Sequence, residues 1–283
     1  MQPWDREQAR FALTVALEAA REAGAILLDH YENLDPAGLG RKSSTRDLVS
    51  AADVAAERCI TAHLRRYLPE HAIEAEEETR DARDAHRPRW FVDPLDGTVN
   101  FVQGLPTFCV SLGLYVQGQP EVAVVHAPRL GETFWAVAGE GGRLEGPRGS
   151  RPLAVSDKQA LSESVLATGF PYRREYWRPN NLEILSDLFL QVRGLRRMGS
   201  AALDLALVAA GRLDGFWELY LSPHDVGAGA LLVREAGGRV SDAMGGEDWL
   251  RGGSIVAGGA GVHGALLPFM RPPDPRWALE GPG

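Results

Sequence analysis

The chain has 283 residues, of which 45% are hydrophobic and 24% are charged, so it can bury one large hydrophobic core or two smaller ones. The formal net charge is -8, and the chain lacks the basic footprint of proteins whose main partner is nucleic acid. No apolar run reaches the roughly 20 residues that span a bilayer, and the N-terminus has no signal-peptide pattern. Cys59 and Cys109 form no paired motif, so both are expected to be free thiols of a soluble, cytoplasmic protein.

Helices are predicted at the start of the chain and strands in its middle. Apolar residues recur at helical spacing from about Glu7 to Tyr31, and a second helix is expected from Ser50 to Tyr67, with "SAAD" as a capping-box-like start. The intervening "LDPAGLGRKSSTRD" is predicted to be a loop. The segment "HAIEAEEE" is predicted to be a short apolar element that ends in an acidic cluster. Between 107 and 142 the pattern predicts three strands of an antiparallel meander, and "RPLAVS" is expected to add another short strand.

The second half of the chain alternates between strands and helices. A soft boundary between 155 and 161 divides the chain into an N-terminal α+β part, residues 1–158, and a C-terminal α/β part, residues 159–283, which completes the site. Helices are predicted over 181–192, in "SAALDLALVAAG", over 225–236 and over 262–269. Strands are predicted in "SVLATGF", "GFWELYL", "RVSD" and "SIVAGG". This alternation is typical of helices packed on a sheet, and the tail "RPPDPRWALEGPG" is expected to be irregular.

The segment "WFVDPLDGTVNF" carries two carboxylates at the end of a buried strand. Side chains three apart on a regular strand point to opposite faces, so Asp93 and Asp96 converge only if the chain leaves the strand between them. Pro94 and Gly97 allow this, and the carboxylates and the Leu95 carbonyl would then form an oxygen site that suits Mg²⁺. The alternative is a helix start, with Asp93 as the N-cap and Pro94 as the first helical residue. These residues alone leave both interpretations open.

Two further acidic segments lie at element boundaries. Glu76 and Glu77 follow the apolar "HAI", where a solvated charge run is the alternative. Asp225 opens a helix of small residues, where a simple N-cap is the alternative. Each signal is weak alone, but the three segments together predict a site for two or three metal ions, through which an acidic protein can bind a phosphate ester.

The same segments carry a family resemblance. The motifs "DPLDGTVNF", "HAIEAEEE" and "SPHDVGAGALLVREAGG", with "DLVSAAD" and "RRMGSAALDLALVAAGRLDGFWE", resemble the inositol monophosphatase family of Mg²⁺-dependent phosphatases over most of the chain. The resemblance implies a layered α-β-α-β-α sandwich of the α+β class and a homodimer. It also implies hydrolysis of inositol monophosphate, or of a similar polyol or sugar phosphate, by direct attack of water.

The resemblance assigns the metal ligands. Glu76, Asp93 and the backbone carbonyl of Leu95 would bind one Mg²⁺ ion. Asp93, Asp96 and Asp225 would bind a second, so that Asp93 bridges the two ions. A weaker third ion would contact Glu76.

Catalytic and substrate-binding roles are assigned in the same way. Asp53 and Thr98, with Glu76, would orient the attacking water, and Asp53 would accept a hydrogen bond from the Thr98 hydroxyl. A capping partnership with Ser50 is the alternative role of Asp53. Backbone N–H groups of Gly97 and Thr98 would bind the phosphate. The residues assigned to substrate contact are Asp96, Gly97, Thr98, Gly199, Ser200, Ala201, Glu218 and Asp225.

Two departures from the family pattern leave every ligand in place. Ala75 stands where the family usually has Gly, and His224 stands where it usually has Trp. His224 is either a structural neighbour of the site or a residue that contacts it.

The spacing Asp-x-x-Asp is one residue too long for the aspartyl nucleophile of haloacid-dehalogenase-like phosphatases. Within the family, fructose-1,6-bisphosphatase, histidinol phosphatase and bisphosphate nucleotidase stay open. The alternative of another class is a regulatory binding protein of the transcription machinery.

Overall fold

The computed structural model of the chain describes residues 4–32, 51–82, 84, 87–171 and 176–277. The loop predicted over 34–47 and the Ser50 cap lie outside these residues. Within the described ranges, no helix has the length and apolar character that crossing a bilayer requires. The helices are α1 (Arg6–Glu32), α2 (Ala51–Tyr67), α3 (Thr98–Val102), α4 (Leu182–Leu188), α5 (Ala201–Ala209), α6 (Pro223–Glu235) and α7 (Ala260–Leu266).

The first sheet has its strands in chain order. They are β1 (Ala72–Ala75), β2 (Arg89–Asp96), β3 (Cys109–Val116), β4 (Gln119–Ala127), β5 (Glu132–Val137), β6 (Gly141–Gly146) and β7 (Gly149–Pro152). β1 is parallel to β2 and each later pair is antiparallel, which confirms the predicted meander. The prediction of a strand in "RPLAVS" is wrong beyond its first two residues. There the Val155 N–H donates to the carbonyl of Ala236, because the chain has left the sheet for the second half of the molecule.

The second sheet has the strand order β11-β12-β10-β8-β9. Its strands are β8 (Val165–Thr168), β9 (Gly194–Arg196), β10 (Gly215–Leu219), β11 (Arg239–Ser241) and β12 (Ser254–Gly258). β8 is parallel to β9 and β10, and β12 is antiparallel to β10 and β11.

The helix predicted over 181–192 ends earlier, at Leu188. The reason is tertiary: the N–H groups of Arg193 and Gly194 donate to the carbonyl of Ser164, which starts the unpredicted strand β9 beside β8.

Helices cover and separate the sheets in five layers. α1 and α2 pack on the outer face of the first sheet, in a core that includes Ile60 and Trp90. α5 and α6 lie between the sheets, with Leu205 in the largest core. α4 and α7 cover the outer face of the second sheet, where Ile184 and Val262 are buried. The predicted α-β-α-β-α sandwich is confirmed as two mixed sheets flanked by helices.

The middle layer joins the two halves of the chain. α6 comes from the second half and packs on β2, β3 and β4 of the first. A Cβ at Gly113 would lie only 2.9 Å from the backbone nitrogen of Ala228, so glycine is what lets α6 approach the sheet this closely. The approach brings Asp225, near the start of α6, beside the end of β2. The division of the chain near 155–161 stays a prediction.

Candidate metal centre

The chain was predicted to leave strand β2 between Asp93 and Asp96. Instead, β2 continues to Asp96 through a β-bulge. Asp93 pairs with Ser111 and Asp96 with Cys109, so three steps along β2 match two along β3. The extra residue re-aims the side chain that follows it, and Asp96 returns to the face of Asp93. Pro94 lies inside β2, where a bulge tolerates its missing N–H. The alternative in which Asp93 caps a helix is therefore wrong.

A third aspartate completes the convergence. One carboxylate oxygen from each of Asp93, Asp96 and Asp225 lies within 4.8 Å of the others. Asp93 is 1% exposed and Asp96 is 9% exposed. The helix of Asp225 begins two residues earlier than predicted, because Pro223 takes the first helical position behind the N-cap Ser222. Asp225 is therefore not the N-cap; its carboxylate accepts the Ser222 N–H at 2.6 Å.

Protein donors orient each of the three aspartates by holding one carboxylate oxygen. The donors are Leu95 N–H on Asp93 Oδ1 at 2.9 Å, Ser200 Oγ and Ala202 N–H on Asp96 Oδ2 at 2.7 Å each, and Ser222 Oγ on Asp225 Oδ2 at 2.5 Å. These bonds fix the orientation of each carboxylate. Ser200, which was expected to contact substrate, thus also positions Asp96, and its substrate contact stays a prediction.

Burial and repulsion between like charges raise the pKa values of Asp93, Asp96 and Glu76. Burial, followed by the charges of Glu76, Asp96 and Asp225, raises the pKa of Asp93 well above its usual range. Burial and the charge of Asp225 raise the pKa of Asp96 to about 7, and burial with the charges of Asp225 and Asp53 raises the pKa of Glu76 to about 8. The group ionises together only when a cation compensates its charge. Hard oxygen donors in this number suit Mg²⁺, so the residues fit the metal that the resemblance implies.

Glu76, rather than its neighbour Glu77, faces the aspartates. It follows the end of β1, and its N–H donates to the carbonyl of Val92 on β2 at 3.1 Å. Its carboxylate does not belong to the aspartate triplet, which is Asp93, Asp96 and Asp225 with oxygens within 4.8 Å of one another.

Sequence reasoning missed the residue that fixes this turn. Glu57, 1% exposed, accepts three backbone N–H groups at 2.8, 3.0 and 2.8 Å, from Glu77, Glu78 and Thr79. Its position four residues after Asp53, on the same face of α2, was the available signal.

The proposed water-orienting residues are close to the bulge but are not bonded as expected. The Thr98 hydroxyl donates to the carbonyl of Leu95 at 3.2 Å, so its one proton does not go to Asp53. The bulge causes this, since it leaves the Leu95 carbonyl beside the first residue of α3. Asp53 is 2% exposed, and burial with the charges of Glu77 and Glu57 raises its pKa to about 8.

Glu218, which was expected to contact the substrate, is a buried carboxyl of β10. Its carboxylate lies against Gly169, where any Cβ would collide with it. Burial, followed by the charges of Asp225 and Asp204, raises the pKa of Glu218 well above its usual range. A cavity of about 350 Å³ opens at the residue after Gly169, and its lining includes Phe170, Asn180, Leu182 and Arg197.

Comparison with known proteins agrees with this arrangement. The model of the inositol monophosphatase family matches residues 9–269. The chain belongs to this family. Among relatives, it is 44% identical over 259 residues to Nus factor SuhB of Escherichia coli (strain K12), covering 92% of this chain and 95% of the relative. It is also 44% identical over 264 residues to Nus factor SuhB of Pseudomonas aeruginosa, covering 92% and 96%.

Solved members of the inositol monophosphatase family share the fold. The enzyme of Anabaena (Nostoc) sp. PCC 7120 has a TM-score of 0.81 and 39% identity, with 93% of this chain and 97% of that chain covered. The crystal structure of SaIMPase-II with inositol monophosphate bound has a TM-score of 0.74 and 28% identity, with 90% and 91% covered. Membership therefore covers both sheets and the layer that carries the carboxylates.

Proposed function

We propose that this chain is a Mg²⁺-dependent phosphomonoesterase that hydrolyses inositol monophosphate, or a similar polyol or sugar phosphate, by direct attack of water. The observation that carries the proposal is the convergence of Asp93, Asp96 and Asp225 within 4.8 Å. Like charges gathered in a buried place need a cation, and a phosphate ester needs the same cation to approach an acidic protein.

The chain's carboxylates would hold two or three Mg²⁺ ions. Glu76, Asp93 and the Leu95 carbonyl form one ligand set, and Asp93, Asp96 and Asp225 form another. When bound, Mg²⁺ neutralises phosphate charge, makes water more acidic and stabilises the leaving alkoxide. Because protein donors already hold one oxygen of each aspartate, the remaining oxygens are oriented before a ligand arrives.

Residues around the bulge would bind the phosphate and place the water. The N–H groups of Gly97 and Thr98 donate to phosphate oxygens. Thr98 Oγ1 gives its proton to the Leu95 carbonyl, so its lone pairs remain to accept a hydrogen bond from the attacking water. Without a cation the pKa values of Asp53 and Glu76 are raised to about 8; bound Mg²⁺ would favour their ionised forms, which can accept hydrogen bonds from that water and so orient it.

The surroundings of Glu218 support a polyol as the alcohol part. Its buried carboxyl lies against Gly169, and the next residue, Phe170, lines a cavity of about 350 Å³. The carboxyl would bond neighbouring hydroxyls of a polyol bound there. Gly199, Ser200 and Ala201 would line the same space. A solved relative carries inositol monophosphate, whereas fructose-1,6-bisphosphatase, histidinol phosphatase and bisphosphate nucleotidase activities need another alcohol part at this place. Turnover of a panel of phosphate esters with Mg²⁺ separates these substrates.

A pair of adjacent variants tests the metal site. Asp93→Asn should remove nearly all turnover, because the residue belongs to both ligand sets. Glu77→Gln alters the next carboxylate of the acidic turn, which faces Glu57, and should leave turnover close to wild type. EDTA should abolish activity and added Mg²⁺ should restore it. Hydrolysis that survives exhaustive chelation, or equal losses in the two variants, would refute the proposal.

A second candidate function rests on the relatives named Nus factor SuhB, at 44% identity over 92% of the chain. We propose that this chain also binds the transcription machinery. The test is co-purification of the isolated chain with RNA polymerase and Nus factors from its own host. Asp93→Asn is the useful variant, because binding that persists without hydrolysis separates the two functions. Failure of the purified components to associate would refute this role.

We also propose a homodimer in a reducing cytoplasm. Phe189 and Leu190 are 65% and 90% exposed, and Leu182 of α4 is 57% exposed. A second copy would cover such exposed apolar side chains. The free Cys59 and Cys109 fit a reducing compartment. Sedimentation velocity measures the mass of the particle, and a monomer at micromolar concentration would contradict the dimer.

A further inference from the structure

His224, which replaces the Trp usual in the family, bonds to the residue that holds a metal-binding carboxylate. Its Nε2 lies 2.7 Å from Ser222 Oγ, and Ser222 Oγ lies 2.5 Å from Asp225 Oδ2. The three side chains thus form a continuous row that ends in the aspartate triplet. The backbone of His224 is fixed as well, since Ser111 Oγ donates to its carbonyl at 3.3 Å.

The direction of these hydrogen bonds follows from the number of protons. The Ser222 hydroxyl donates its single proton to Oδ2 of Asp225. Ser222 Oγ must then accept from His224, whose Nε2 therefore carries a hydrogen. This holds for a neutral ring and for a protonated ring alike, because Nε2–H is present in both.

The other ring nitrogen of His224 makes no hydrogen bond to the aspartate triplet. Nδ1 of His224 is buried and has no hydrogen-bond partner among the described residues. Besides Asp225, the charged groups that act on the ring are Arg80, Glu74 and Glu57, none of which belongs to the triplet. The hydrogen-bond path from His224 to the site therefore runs through Ser222.

We propose that His224 is a positioning residue for the cation site. By donating to Ser222 Oγ, it commits the hydroxyl proton to Asp225 Oδ2, and so leaves the other oxygen of Asp225 for the cation. The inference rests on the proposed metal site. Outer partners of this kind orient a ligand before the metal binds, and their loss typically weakens metal affinity about 10- to 100-fold.

The test measures cation binding without substrate. Free Mn²⁺ is counted by electron paramagnetic resonance during titration of the metal-free protein, and Mg²⁺ is then added as the competitor. His224→Phe keeps a ring but removes the N–H, and should weaken affinity about 10- to 100-fold. His224→Gln, which can place an N–H near the position of Nε2, should recover most of it.

The chain offers a matched control in His263. Its Nε2 lies 2.9 Å from Ser241 Oγ, so it makes the same kind of pair, but Ser241 passes its proton to the carbonyl of Asp242 rather than to a carboxylate. His263→Phe should leave Mn²⁺ affinity unchanged. Circular dichroism and the unfolding midpoint, both measured without metal, check that each variant is folded.

A double variant decides whether His224 acts through Ser222. Ser222→Ala alone should weaken the cation about as much as His224→Phe or more, and the double variant should lose little beyond Ser222→Ala. Additive losses, or wild-type affinity in His224→Phe, overturn the positioning role while the metal site stands. Wild-type protein that binds no divalent cation overturns the metal site itself. Should His224→Phe fail to fold, Ser222→Ala and His224→Gln still carry the test.

Discussion

Metal-free protein should lose stability as the pH rises from 6.5 to 8. Burial and like charges raise the pKa of Asp53 and Glu76 to about 8 and that of Asp96 to about 7, from ordinary values of 3.8, 4.5 and 3.8. The folded chain then holds protons that the unfolded chain has already released. Stability from these carboxyls is present at low pH and is lost as the pH rises through the folded pKa values.

The expected loss follows from the pKa values. A group with a folded pKa of about 8 loses about 1.7 kcal/mol of stability between pH 6.5 and 8, and one with a folded pKa of about 7 loses about 0.8 kcal/mol. If the groups titrate independently, the total is about 4 kcal/mol; because they interact, we expect about 2–4 kcal/mol. The buried His71 and His126, whose pKa values are lowered to about 4, act in the opposite direction. Because their unfolded pKa is about 6.5, each adds about 0.4 kcal/mol of stability between pH 6.5 and 8, which is much less than the carboxyls remove.

Urea unfolding at pH 6.5, 7.25 and 8, in EDTA and in saturating Mg²⁺, measures the effect. With Mg²⁺ the fall should vanish or reverse, because the bound form needs ionised carboxylates. Asp93→Asn should reduce the fall in EDTA, since it removes one of the repelling charges, and should remove the response to Mg²⁺. A metal-free protein whose stability is constant across this window, or one with the same slope in EDTA and Mg²⁺, would refute the electrostatic account of the site.

Three further predictions concern the reaction. Glu218→Ala should lose about 1–3 kcal/mol of transition-state binding on inositol monophosphate, because a polyol hydroxyl is left unpaired, and much less on an aryl phosphate; parallel losses on both esters would return Glu218 to a structural role. Thr98→Ala should lower kcat about 10- to 100-fold with little change in KM, because the hydroxyl places water, and Thr98→Ser should retain most activity. Direct attack also requires inversion at a chiral, isotopically labelled phosphorus, and retention would indicate a covalent phosphoenzyme.

Much of the architecture could be read from local patterns. Alternating apolar residues predicted β3, β4 and β5, and helical spacing predicted α1 and α2, because each pattern reports which face of an element is buried. The acidic segments likewise located Asp93, Asp96 and Asp225. Carboxylates at the ends of buried elements are informative because charged side chains are seldom buried without a partner. The limits of α4 and the strand β9 escaped prediction, because contacts with Ser164, distant in sequence, decide them.

The sequence by itself determined which residues carry the charge, and the tertiary structure decided how they are held. Composition and spacing could not reveal that a bulge between Asp93 and Asp96 turns both to one face, since a bulge depends on the register of the neighbouring strand. Nor could they reveal the donors on Asp96, which come from residues more than 100 positions away in the chain. A hydrogen bond needs its partner within about 3 Å, and only packing of α5 and α6 between the sheets brings such partners together.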